Sequence, residues 1–185
     1  MVMRNPSLAA RALAQLVDGW SIYSHGEHLS GHLSLAGFEV VNHGNFASVV
    51  NGLPNQVIKI FGLNDIGYQQ LLHEFIHNKS DHYPAVYSFT TSGNYGIVEM
   101  EKLTHNTKTA VAISNYADRL KSGCSLKSHK WGITFKDAVL HLDMKSKEYN
   151  KKLKAVQLHW DGHEDNIMFR GTIPVLCDVF YGEKN

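Results

Sequence analysis

The sequence predicts an α+β chain in two lobes, and two observations carry that prediction. From Gly37 to Met100 the chain consists of short β-rich runs separated by turn residues, with one helically spaced stretch among them. Beyond Leu103 the spacing becomes mostly helical and ends in a short hairpin. The order is strands, helix, two strands, helices, hairpin, with the lobes joined near Glu101-Lys102-Leu103. With 185 residues the chain can bury a core of its own, hiding roughly 70% of its extended surface.

Each element has its own signal. Leu8 to Val17 is an apolar run broken by Arg11 and Gln15, which reads as an amphipathic helix starting near Pro6-Ser7 and spoils it as a signal-peptide core. His25 to His32 reads as a Gly/His/Ser-rich connection. Phe38 to Val41, Phe46 to Val50 and Gln56 to Phe61 read as a three-stranded meander, broken at Asn42-His43-Gly44-Asn45 and Asn51-Gly52-Leu53-Pro54-Asn55. Asp65 to His77 has helical spacing, with Ile66, Leu72 and Ile76 among its apolar positions. Strands follow over Ala85 to Phe89 and Tyr95 to Met100, then helices around Lys108 to Lys121 and Thr134 to Ala155. Asn166 to Phe169 and Pro174 to Cys177 form a hairpin across Gly171-Thr172. The predicted organisation is an N-terminal helical extension over 1–36, a first lobe over 37–103 and a second over 104–185.

Composition excludes several classes. Hydrophobic residues are 43% and charged residues 19% of the chain, an ordinary globular balance. Lys plus Arg number 18 against 17 acidic residues, a net charge of +1, which argues against a coat for nucleic acid or for an anionic membrane. No run approaches the ~20 apolar residues of a membrane helix, so neither a membrane nor direct nucleic-acid contact is expected. Two cysteines, Cys124 and Cys177, cannot make a disulfide framework and suit a reducing cytoplasm.

The sharpest motif is His159-Trp160-Asp161-Gly162-His163-Glu164-Asp165-Asn166-Ile167-Met168-Phe169, followed by Leu176-Cys177-Asp178. Phosphoryl transfer needs a carboxylate beside the attacking hydroxyl and oxygen ligands that hold magnesium on the phosphates. Asp161 and Asn166, five apart across a tight loop, suit the carboxylate and an amide ligand, and Asp178 supplies a second carboxylate. Upstream, Gly44, Asn45 and Phe46 lie in a turn where a glycine-rich loop would cover phosphates. Val57-Ile58-Lys59-Ile60 places Lys59 to reach the α- and β-phosphates, and Glu74 lies on the following helix, where a carboxylate would hold that lysine. Val98 to Leu103 has the form of a strand entering a hinge, where the carbonyl of Glu101 and the amide of Leu103 would pair with adenine.

These residues, in this order, give the chain its resemblance to the protein-kinase-like superfamily, most closely to the small serine/threonine protein kinases encoded by short-tailed bacteriophages. It runs from about Gly37 to Asp178. The form carried by Asp161, His163, Asn166, Ile167, Met168 and Phe169 is shared with aminoglycoside phosphotransferases and other atypical kinases. The resemblance implies a two-lobed fold, with a five-stranded antiparallel sheet plus a helix in the N-lobe and a minimal, mostly helical C-lobe. It implies Asp161 as catalytic base, Asn166 and Asp178 on magnesium, Lys59 on phosphate and His163 near the γ-phosphate. ATP and Mg2+ would be the cofactors, and host proteins in the host cytoplasm, or the chain itself, the substrates. A homodimer is compatible with it.

The sequence also departs from that pattern. The phosphate loop keeps one glycine, Trp160 replaces an arginine, and Val179-Phe180 stands where Phe-Gly would follow Asp178. Seven residues follow Asp178, so substrate recognition is expected from the N-terminal extension or a partner. Three alternatives stay open: a nucleotide-binding pseudokinase that grips a host factor, a small-molecule phosphotransferase, and a zinc metalloprotease. The last rests on His73-Glu74-Phe75-Ile76-His77, whose imidazoles share a helix face, although the position ten after His73 is Tyr83. His25, His28 and His32 read as a solvated loop, Cys177 as a small core residue, and Lys145, Lys147, Lys151, Lys152 and Lys154 as a solvated helix face.

Overall fold

In the computed structural model, residues 3–21, 26–44, 47–123, 132–153 and 156–184 are described. Their contacts divide the chain into two compact units, Met1–Asp65 with Ala85–Lys102, and Ile66–Pro84 with Leu103–Asn185. Together the units hold a mixed set of helices and antiparallel strands. No helix among the described residues is long and apolar enough to cross a membrane.

The first unit contains α1 (Leu8–Val17), α2 (Gly26–Leu35) and the strands β1 (Val40–His43), β2 (Ala47–Asn51), β3 (Gln56–Gly62), β4 (Val86–Ser92) and β5 (Tyr95–Glu101). The strands form one sheet in the order β1-β2-β3-β5-β4, antiparallel throughout. Alternation along β3 sends Ile58 and Ile60 to one face, where they join Val50, Tyr95 and Ile97. Ala10, Leu13 and Val17 of α1 and Leu29 and Leu33 of α2 close over that face. Burying each such aliphatic side chain stabilises the unit by roughly 1.5–3 kcal/mol. Ser7 caps α1 by accepting a hydrogen bond from the Ala10 amide at 3.2 Å.

Two expectations for this unit are corrected. The stretch from Gly26 to His32 is not a connection but most of α2. Its Gly, His and Ser content gives weak helical propensity, and Leu29 and Leu33, one turn apart, supply the stability by burial against the sheet. His25 lies outside the described residues. The N-terminal helices are also no separate extension, because they cover one face of the sheet. Ahead of α1, the Arg4 amide donates to the Tyr87 carbonyl at 3.0 Å, and its guanidinium lies 4.9 Å over the Tyr87 ring. Glu99, 1% exposed, accepts from the Ser7 amide at 3.1 Å and from the Ser88 hydroxyl, and lies 3.7 Å from Arg4. Burial raises its pKa, but the Ser7 and Ser88 hydrogen bonds and the Arg4 charge outweigh that, so it stays below the usual range.

The second unit contains α3 (Ile66–His77), α4 (Thr107–Lys121), α5 (Gly132–Lys152), β6 (Val156–Trp160), β7 (Ile167–Arg170), β8 (Ile173–Leu176) and β9 (Phe180–Lys184). Ile113, Ala117 and Leu120 of α4 and Phe135, Val139 and Leu142 of α5 are all buried, and Tyr116 stacks on Phe135 at 6.3 Å. Two antiparallel ladders, β6 with β9 and β7 with β8, complete the unit. The first ladder is absent from the sequence reading, because its strands are short and 19 residues separate Trp160 from Phe180. Gly171, at φ 61°, makes the tight turn between β7 and β8. Helix α3 belongs with this unit and not with the sheet that precedes it in sequence.

Gly67 shows why α3 sits there. A Cβ at this position would lie 2.8 Å from the Tyr181 Cα and 2.9 Å from the Phe180 carbonyl oxygen, both backbone atoms of β9. A helical Gly→Ala change ordinarily gains up to about 1 kcal/mol. Gly67→Ala should instead lose about 1–3 kcal/mol through overpacking, read as a lower urea midpoint with unchanged slope.

Candidate functional site

The segment from Asp161 to Asp178 is held by hydrogen bonds near both of its ends. The Asp161 amide donates to the Val179 carbonyl at 2.8 Å, and the Cys177 amide donates to the Asn166 carbonyl at 2.9 Å. The Asn166 side-chain amide donates back to the Asp161 carbonyl at 2.9 Å and to its carboxylate at 3.1 Å. The loop from 161 to 166 is thus closed on itself and fastened to the residues on either side of Asp178. Asp161, Asn166 and Asp178 are brought together, each half-buried. With its N–H bonds spent on Asp161, Asn166 presents its side-chain oxygen as its remaining polar atom. Asp161, Asn166 and Asp178 carry side-chain oxygens, the ligand type that hard divalent cations take.

His163 opens the 3-10 turn Glu164–Asn166, its Nδ1 accepting from the Asp165 amide at 3.4 Å. It is exposed, with its Nε2 3.3 Å from the Glu164 carboxylate. Trp160 has a role the sequence reading missed. Its indole N–H donates to Asp118 at 3.2 Å, and the Lys121 ammonium lies 4.6 Å from the ring centre. The ring lies against Gly162, where a Cβ would come within 2.2 Å of the indole nitrogen. A glycine is therefore required one residue after Asp161.

The other predicted residues are distributed over both units. Lys59, on β3, is buried and pairs in register with Val49 and Val98. It points to the face opposite Ile58 and Ile60. The turn before β2 is closed by the Gly44 amide donating to the Ala47 carbonyl at 2.9 Å. Asn45 and Phe46 lie outside the described residues. At the end of β5 the Glu101 carboxylate accepts from the Ala85 amide at 2.9 Å. Leu103 precedes Thr104, whose amide donates to the Phe169 carbonyl at 3.0 Å. A cleft of about 460 Å³ opens at the start of α4, lined by Thr104, Asn106, Thr109 and Thr172 among others. Among the described residues, none of the predicted site residues lines it.

Glu74 is buried, not solvated. Tyr149 donates to it at 2.6 Å, Asn78 at 2.6 Å and His141 Nε2 at 2.9 Å. The neighbouring His73 and His77 rings stack on each other at 4.2 Å. Among the described residues no group of three or more His, Cys, Asp or Glu side chains is arranged to hold a metal ion. Neither His141 nor Tyr149 is distinguishable in sequence from other residues of a long, Lys-rich helix. A buried histidine, His82, bonds the Pro174 carbonyl through Nδ1 at 2.8 Å and the Thr134 hydroxyl through Nε2 at 3.0 Å.

Burial raises the pKa of Glu74, but the Tyr149 and His141 hydrogen bonds and the charges of His141 and Lys145 prevail and hold it below the usual glutamate range. A lowered folded pKa means that Glu74 stabilises the fold above its unfolded pKa and loses that contribution as pH falls through the folded value. Chemical denaturation as a function of pH should therefore show an acid-side loss of stability that Glu74→Gln reduces. Tyr149→Phe, which strips a buried carboxylate oxygen of its donor, should cost about 1–3 kcal/mol at neutral pH.

No family model matches the chain, and no curated protein matches it. Among solved structures, the chain is similar to WbdD in a crystal structure at high resolution and in a co-crystal with the kinase inhibitor LY294002. Both are 15% identical to this chain over 76% of its length, with TM-scores of 0.40 and 0.38 respectively. The chain spans about a third of the WbdD chain, 34% in each case.

Proposed function

We propose that this chain is an ATP- and magnesium-dependent phosphotransferase of the protein-kinase-like type, and specifically a bacteriophage-type serine/threonine kinase acting on host proteins. The observation that supports this most is the closed arrangement of Asp161, Asn166 and Asp178. Asn166 is bonded through its side chain to Asp161, and the backbone on either side of Asp178 is bonded to the same loop. In this reading Asp161 orients the acceptor hydroxyl and takes its proton as the new P–O bond forms and the bond to the β-phosphate breaks. Asn166 and Asp178 would hold magnesium, which would neutralise charge developing on the phosphates. Lys59 supplies a buried cation for the α- and β-phosphates, with the turn at Gly44 over them. Glu101 and Leu103 would engage the adenine through their backbone. Glu74, given its Tyr149, Asn78 and His141 partners, anchors α3 within its own unit. His163, two residues after Asp161, would lie near the γ-phosphate.

The test is incubation with γ-labelled ATP and magnesium, alone and with bacterial lysate. Label should appear on protein and fall by at least about 100-fold in Asp161→Ala and Asp178→Ala, both retaining native circular dichroism. Label only on a small molecule would replace the protein acceptor with a metabolite. No label in any fraction, with or without lysate, would overturn the proposed activity.

A further inference from the structure

We propose that α2 is a positioning element for the β1–β2 turn, and that through Gly26 and Ser48 it sets how tightly the chain holds nucleotide phosphates. The inference rests on the proposed nucleotide-binding role of that turn and goes beyond it by assigning the turn's support to the N-terminal helices.

Gly26 is the first residue of α2, and the helix meets the turn there backbone to backbone. A Cβ on Gly26 would lie 2.1 Å from the Gly44 carbonyl oxygen and 2.5 Å from that of Ala47. Those two residues are joined by the hydrogen bond that closes the turn. No side chain fits, and the atoms that would have to move belong to the turn itself. A Cβ on Gly44 itself would meet nothing within 4 Å. The backbone of Gly44 and Ala47 is thus supported by α2.

A buried polar pair fastens the same contact. The Ser48 hydroxyl, fully buried, donates to the Gly26 carbonyl at 3.0 Å and lies 2.8 Å from the Ser30 hydroxyl. A hydroxyl has one proton, so with Ser48 donating to Gly26 the Ser30 hydroxyl donates to Ser48. Both bonds hold only while α2 and β2 keep their spacing, and breaking them leaves buried polar atoms unsatisfied. Leu29 and Leu33 anchor the helix against Val50 and Ile58. The support therefore stands on the sheet that carries Lys59 on its other face. A turn already held in place loses less conformational entropy when it closes on a ligand.

The experiment is calorimetric titration of the full chain with the magnesium complex of a non-hydrolysable ATP analogue, with kcat and KM for ATP measured alongside. Gly26→Ala should weaken binding at least about tenfold and raise KM similarly while kcat stays within about twofold. Ser48→Ala, which removes both hydroxyl bonds without adding bulk, should weaken binding about threefold and decides the matter if Gly26→Ala does not fold. Folded variants that bind as tightly as the native chain would overturn the inference alone. A fall in kcat with unchanged KM would also overturn it. A native chain that binds no nucleotide would overturn the functional reading and this inference together.

Discussion

Two backbone hydrogen bonds, from Asp161 to Val179 and from Cys177 to Asn166, constrain the loop on which the proposed phosphoryl transfer depends. Each is worth only about 1 kcal/mol net, yet together they fasten the backbone that carries Asp161, Asn166 and Asp178. Their strength comes from what flanks them. β6 runs into Asp161 and β7 leaves from Asn166, while β8 runs into Cys177 and β9 leaves after Val179. The two short ladders pair these strands crosswise, β6 with β9 and β7 with β8, so both loops are pinned at both ends. An isolated two-stranded ladder is marginal in water, and here α3, α4 and α5 stabilise the pair by packing.

Buried charge follows a common rule in both units. Glu99 in the first and Glu74 in the second are almost fully buried, and both stay ionised because neighbouring donors outweigh desolvation. Glu99 binds the N-terminal segment to the sheet through Ser7 and Arg4. Glu74 ties α3 to α5 through Tyr149 and His141. A carboxylate held by several donors resists displacement, since moving it would strand its donors as well as its own charge. Such groups fix the placement of elements whose apolar contacts alone would permit sliding.

The strands of the first unit were legible, although β1 runs over Val40–His43 and takes in Asn42 and His43 that read as a break, because apolar alternation and turn residues such as Asn51-Gly52 act over a few residues. The hairpin of β7 and β8 was legible for the same reason, its turn marked by Gly171-Thr172. The cluster at Asp161, Asn166 and Asp178 could be named because a tight loop and one hairpin bring residues 17 positions apart into register. Helix α2 was not legible, since only its burial against the sheet overcomes a composition poor in helix formers. The β6–β9 ladder depends on a pairing no local pattern announces.

The sequence by itself determined the local elements, the near-neutral charge and the chemical identity of the oxygen-rich loop, because each of these depends on neighbours in the chain. The tertiary structure alone decided that Glu74 belongs to Tyr149, His141 and Asn78, that Trp160 lies on Gly162, and that α2 supports the turn at Gly44 and Ala47. Each of these is a contact made by packing, and packing depends on which distant surfaces exclude water together.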